Sequence, residues 1–123
     1  MNREKEIKNR LTNNVSWLNK RLDLDFKPYN IHGVKADIIL KDNTSQIYAI
    51  VELKKTKIDC ERALYQLLKY RLQFRRQMKI SNEQIVMVIA TENVPNELID
   101  IIKEFPKTKD FQFIIHKINI FKY

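Results

Sequence analysis

The stretch VKADIILKDNTSQIYAIVELKK, residues 34–55, decides the fold. Val34–Lys41 is a run of β-formers, Asp42-Asn43-Thr44-Ser45 carries the side chains of a turn, and Gln46–Lys54 is a second run of β-formers. Two such runs joined by a short turn predict an antiparallel hairpin. Every position from Ile47 to Val51 is apolar. The second strand is therefore expected at the centre of a sheet, covered on both faces.

Working outward, Ile7, Leu11, Val15, Leu18 and Leu22 recur at helical spacing, which predicts one helix over residues 2–22. Pro28 disfavours helix and makes Phe26–Asn30 extended. Downstream of the hairpin, residues 59–79 read as a long helix with Asp59 as N-cap and an apolar stripe of Cys60, Ala63, Leu64, Leu67, Phe74 and Met78. Gln84–Ala90 is an apolar run of strand length, Pro95 opens a helix to about Phe105, and Phe111–Phe121 is a last strand. The expected order is αβββαβαβ, an α/β domain with a central mixed β-sheet flanked by helices.

Composition bounds the function. A chain of 123 residues is expected to form a single domain, residues 1–123. Lys plus Arg is 23 against 15 Asp plus Glu, a formal charge of +8. That balance attracts polyanions, nucleic acid first among them. The bases concentrate between Lys54 and Lys79, where only Asp59 and Glu61 oppose them. Gly33 is the sole glycine, so the glycine-rich loops that cradle nucleotides are excluded and no nucleotide cofactor is expected. The single cysteine, Cys60, excludes an internal disulfide and a multi-cysteine zinc site. No run of 18 apolar residues predicts a membrane span, and the charged N-terminus has no apolar signal region. A cytoplasmic protein is the expectation.

The chemistry centres on Asp37, Glu52 and Lys54. Glu52-Leu53-Lys54 ends the second strand, and alternation with period two puts Glu52 and Lys54 on one face. The tripeptide alone is weak, since Glu6-Ile7-Lys8 repeats it on the first helix. Its context adds weight. Asp37 lies among Ala36, Ile38 and Ile39, a costly place for a carboxylate without a partner, and the hairpin makes it a cross-strand neighbour of Glu52. Two carboxylates beside a lysine offer oxygen ligands to a hard divalent cation or form a buried ion-pair cluster. Gln66 and Tyr70 lie four apart on one flank of the next helix.

Asp37, Glu52-Leu53-Lys54 and Gln66-x-x-x-Tyr70, in that order, resemble the PD-(D/E)XK nuclease superfamily, whose RecB-like branch carries a similar Gln-to-Tyr element. The run from Val34 to Tyr70 is most similar to the catalytic domain of archaeal NucS/EndoMS endonucleases, over about residues 4–100. Ala36 stands where the name-giving proline would be, and the expectation is a catalytic domain without the N-terminal domain of the NucS-like proteins. The resemblance implies a restriction-endonuclease-like core and Mg²⁺- or Mn²⁺-dependent hydrolysis of DNA phosphodiesters to 5′-phosphate ends. Its metal ligands would be Asp37, Glu52 and the Leu53 carbonyl, with a first-helix acid acting through water. Glu4 fits that acid by pattern, and Glu6 is the alternative. Lys54 would be the catalytic lysine, with Gln66 and Tyr70 in support. The implied partner is DNA, and the target stays open among a junction, a flap, a mismatch and a defined short site, in repair, recombination or a viral or mobile element. Duplex cleavage implies a homodimer.

Lys55, Lys57, Arg62 and Lys69 flank this constellation and are candidate phosphate contacts. His32, His116, Cys60 and Trp17 are assigned to packing or surface. A non-catalytic nucleic-acid-binding module on the same fold, or a basic protein–protein adaptor, are the competing classes.

Overall fold

A computed structural model describes residues 3–118, apart from the side chains of Arg3, Glu4 and Lys57. The elements are α1 (Arg3–Asn13), α2 (Ser16–Leu22), β1 (Phe26–Pro28), β2 (Ile38–Asp42), β3 (Tyr48–Leu53), α3 (Lys57–Met78), a 3₁₀ turn (Asn82–Gln84), β4 (Ile85–Thr91), α4 (Asn96–Lys103) and β5 (Gln112–Lys117).

The strands form one sheet in the order β1-β2-β3-β4-β5. The first three are antiparallel neighbours, whereas β3–β4 and β4–β5 are parallel, each joined through a helix. The hairpin stands as expected, with Ile38 opposite Val51 and Leu40 opposite Ala49. β3 is buried at every position, as its unbroken apolar run requires. Pro28 is tolerated because β1 is an edge strand. No helix among the described residues is long and apolar enough to cross a membrane.

Alternation along the strands makes two cores. One face carries Ile38, Leu40, Ala49, Val51, Val86 and Val88 under Leu11 of α1 and Leu18 of α2. The other carries Ile39, Tyr48, Ile50, Ile85, Met87 and Ile89 under Cys60, Ala63, Leu67 and Phe74 of α3 and Leu98 of α4.

Most boundaries differ from expectation by a residue or two, and four differences have a clear structural consequence. The first helix is two, broken at Asn14-Val15, where Asn14 Oδ1 accepts the Ser16 N–H at 3.2 Å. Asparagine competes for backbone groups in this way and weakens a helix. The stripe survives the break, because Ile7, Leu11, Val15, Leu18 and Leu22 all pack on the same core. Helix α3 starts earlier than expected, and its cap is Thr56, whose hydroxyl accepts the Asp59 N–H at 3.1 Å. Asp59 instead lies inside the first turn, where its charge complements the helix dipole. β2 begins at Ile38, so residues 34–37 are a lead-in rather than strand. The last strand is Gln112–Lys117, and the rest of the expected Phe111–Phe121 strand beyond Ile118 lies outside the described residues.

The lead-in to β2 needs Gly33. Its φ of +88° is a left-handed conformation that side-chain-bearing residues rarely adopt. The turn there brings the chain back to Asp37, the residue just before β2.

Candidate active site

Asp37 and Glu52 face each other at the open end of the hairpin, one step beyond the Ile38–Val51 pair. Each is pinned by the other's strand. The Asp37 N–H donates to Glu52 Oε1 at 3.0 Å, and the Leu53 N–H donates to Asp37 Oδ2 at 2.8 Å. Glu52 follows Tyr48 and Ile50 on the α3 face of the sheet and is 3% exposed. Lys54 lies just beyond β3, with its backbone N–H on the Ala90 carbonyl at 3.0 Å and its Nζ 3.3 Å from Glu52 Oε2. The expected cross-strand pair and the shared face of Glu52 and Lys54 are both present.

This geometry is electrostatically tense. Burial raises the Glu52 carboxyl to about 7, and the negative charge of Asp37 adds to the rise. The Asp37 N–H and Lys54 oppose it without cancelling it. A buried acid beside a second acid is short of positive charge, which a cation would supply.

Helix α3 lies over this corner. Burial is the first cause raising the Tyr70 phenol, followed by the charge of Glu52, so the hydroxyl stays a donor at neutral pH. Gln66 sits one turn earlier on the same flank, and its Oε1 is buried without a hydrogen-bond partner. Thr91 Oγ1, at the end of β4, is the other such atom among the described residues. Thr91 follows Ile89 on the α3 face, and the parallel register sets it beside Lys54. Sequence reasoning missed Thr91, because a β-branched residue ending an apolar strand carries no signal of an unpaired hydroxyl.

A small recess of about 30 Å³ lies on the α1 side of the strand ends, lined by Ile7, Leu53, Lys54, Lys55, Glu92 and Ile118. It brings α1 to the strand ends, although the Glu4 side chain lies outside the description. Glu6 forms a surface ion pair with Arg10 at 2.7 Å. Among the described residues no group of three or more acids, histidines and cysteines gathers. Asp37 and Glu52 are a pair, and with a backbone carbonyl they make the all-oxygen donor type that Mg²⁺ and Mn²⁺ take.

The candidate phosphate contacts separate. Lys55 lines the recess, while Arg62 and Lys69 are exposed on the outside of α3, and the Lys57 side chain is not described. Two other bases of that helix are spent internally. Arg71 donates to the Asp110 carbonyl at 2.8 Å and lies over the Phe111 ring, and Arg75 donates to Asn82 Oδ1 at 2.9 Å. Trp17 stacks on His116 at 4.3 Å, and burial with the Arg21 charge drives that imidazole down to about 4. Cys60 is buried with its thiol pushed up, and His32 is exposed.

A five-stranded mixed sheet with α3 crossing from the β3 end to β4 is a restriction-endonuclease-like α/β core. Among solved structures the chain is similar to a repair endonuclease from Pyrococcus abyssi, with a TM-score of 0.63 at 13% identity. The match covers 97% of this chain and 48% of that one, so the chain spans about half of its neighbour. At that identity the likeness is one of fold. No family model matches the sequence, and no curated protein does.

Proposed function

We propose that this chain is a divalent-metal-dependent DNA endonuclease of the PD-(D/E)XK kind, hydrolysing phosphodiesters to 5′-phosphate ends. The observation that carries the proposal is the interlocked pair Asp37 and Glu52 with Lys54 on Glu52, an under-compensated acid site at a strand end. The fold likeness to a protein described as a repair endonuclease and the charge of +8 support DNA as the substrate.

Asp37, Glu52 and the Leu53 carbonyl would hold the metal, with Glu4 contributing through water. A bound Mg²⁺ or Mn²⁺ supplies charge for the scissile phosphate and lowers the pKa of a water molecule. Lys54 then orients the attacking water and offsets negative charge growing on the phosphate. Gln66 Oε1 has the free acceptor capacity to hold that water or a ligand around it. Tyr70 donates from its hydroxyl and steadies the acid corner. Lys55, next to Lys54 at the strand end, would meet a phosphate of the DNA backbone. Cutting both strands of a duplex takes two copies, one site per strand, and repair of a branched or mismatched structure is the setting that fits.

Incubation with plasmid and with linear, mismatched, flapped and four-way-junction DNA, in Mg²⁺, Mn²⁺ or EDTA, tests this. Metal-dependent cutting, lost in both Asp37→Ala and Lys54→Ala, is the expected result. DNA binding that both variants retain, without cutting by any form, would establish the non-catalytic binding module instead.

A further inference from the structure

Helix α3 has a second organised face, turned away from both the sheet and the acid corner. Ile58, Tyr65 and Leu72 recur every seven residues, and Arg62, Lys69 and Arg76 follow each of them by four. On a helix this pattern is one ridge that drifts about 20° per heptad and runs about 21 Å from Ile58 to Leu72. Tyr65 is 73% exposed and Ile58 61% exposed, the two most exposed large apolar side chains among the described residues. Leu72 is partly exposed and joins neither core. Arg62, Lys69 and Arg76 are exposed and form no ion pair among the described residues. The two acids of α3, Asp59 and Glu61, lie in its first turns, and from Arg62 to Met78 there is none.

We infer that this ridge docks an acidic amphipathic helix of a partner protein. Charge and period together select that occupant. A helix with an apolar residue once per heptad and acids beside it repeats at about 10.5 Å, the spacing of this ridge. Its apolar row would cover Ile58, Tyr65 and Leu72, and its acids would meet Arg62, Lys69 and Arg76. A nucleic acid would satisfy the three cations but leave the aliphatic side chains at either end without an apolar counterpart. A second copy of the same ridge would bring like charges together. The inference uses no residue of the acid corner, but it reassigns Arg62 and Lys69 from candidate phosphate contacts to partner contacts.

The probe is a synthetic helical peptide of about three heptads, with leucine once per heptad and glutamate beside it. Its controls are a scrambled peptide of the same charge and a version with lysine for glutamate. Fluorescence anisotropy should show binding of the acidic amphipathic peptide at least about tenfold tighter than either control, a difference lost in Tyr65→Ser. The triple variant R62E/K69E/R76E should exchange its preference to the lysine peptide. All four substitutions are at exposed positions, and circular dichroism verifies that each variant folds. Equal binding of ordered and scrambled peptides would overturn the inference, as would no binding. So would displacement of the peptide by oligonucleotide, or a dimer in sedimentation that Tyr65→Ser dissolves. The last two results would assign the ridge to nucleic acid or to a second copy.

Discussion

Two buried carboxylates occupy opposite ends of one hairpin, and they behave in opposite ways. Asp42, 1% exposed, closes the turn. It accepts hydrogen bonds from the Asp25 N–H at 2.8 Å, the Ser45 hydroxyl at 2.6 Å and the Thr44 hydroxyl at 3.2 Å. The Ser45 bond leads in holding its carboxyl below the usual range, with the Asp25 N–H and Thr44 adding to it against burial. Glu52, 3% exposed, has the Asp37 N–H and Lys54 as partners but a second acid as neighbour, and it is raised to about 7. Burial of an acid does not mark a reactive site. What marks it is the shortfall of positive partners once burial is counted.

The sharpest break between the two ends is expected in activity. Asp37→Asn and Glu52→Gln should each lower metal-dependent cleavage by about 10³-fold or more while the fold persists. Asp42→Ala should do the reverse, keeping cleavage per folded molecule and losing about 1–3 kcal/mol of stability from the turn. Cleavage rates beside urea unfolding of the three variants decide it. Equal loss of activity in all three would mean the hairpin acts through stability alone.

The next effect is metal linkage. A cation that binds only the folded corner stabilises it by about 2.7 kcal/mol at a hundred times its dissociation constant. Mg²⁺ or Mn²⁺ should therefore raise the thermal midpoint of the wild type, and EDTA should reverse the rise. Glu52→Gln should abolish the effect, and Asp42→Ala should leave it intact. A rise unchanged in Glu52→Gln would locate the cation elsewhere.

In EDTA the two acids should also give opposite slopes of stability against pH. Glu52 has a folded pKa near 7, above its ordinary 4.5, so it binds a proton more tightly folded than unfolded. Its contribution is fully present below about 4.5 and is lost as pH rises through 7. Asp42 has a folded pKa below its ordinary 3.8, so its contribution is present above that value and is lost as pH falls through the lower one. Subtracting the pH–stability curve of Glu52→Gln from that of the wild type should leave a falling limb between pH 4.5 and 7. A rising limb would mean Glu52 is ionised and fully paired.

Much of this corner was legible in the sequence, for identifiable reasons. The turn at Asp42–Ser45 fixes the hairpin, and with a side-chain period of two a fixed hairpin sets Asp37 opposite Glu52 and Lys54 on the same face as Glu52. The stripe of α3 then fixes which flank carries Gln66 and Tyr70. Boundaries were less legible where two residues offer the same local chemistry. Thr56 and Asp59 are both good caps three residues apart, and only the path of the chain out of β3 selects Thr56. Cations were least legible. Arg71 and Arg75 look like phosphate ligands in a basic run, yet the Asp110 carbonyl, the Phe111 ring and Asn82 occupy them, and the two partners of Arg71 come from distant sequence.

Thr91 supplies the smallest predicted effect and the most direct check on the contrast between satisfied and unsatisfied polar groups. Its side chain is fully buried, and Oγ1 has no oxygen or nitrogen partner. The thiol of Cys60 is its polar neighbour, and a thiol is a weak one. Removing a hydroxyl that lacks a real partner removes a desolvation cost, and valine keeps the shape. Thr91→Val should therefore leave stability unchanged or raise it by up to about 1 kcal/mol, opposite in sign to Asp42→Ala. Urea unfolding of the two variants side by side reads that sign. A loss of more than about 1 kcal/mol in Thr91→Val would mean that the hydroxyl holds a buried water. The end of β4 would then be a satisfied polar corner like the turn at Asp42, and the polar shortfall would belong to Asp37, Glu52 and Gln66 alone.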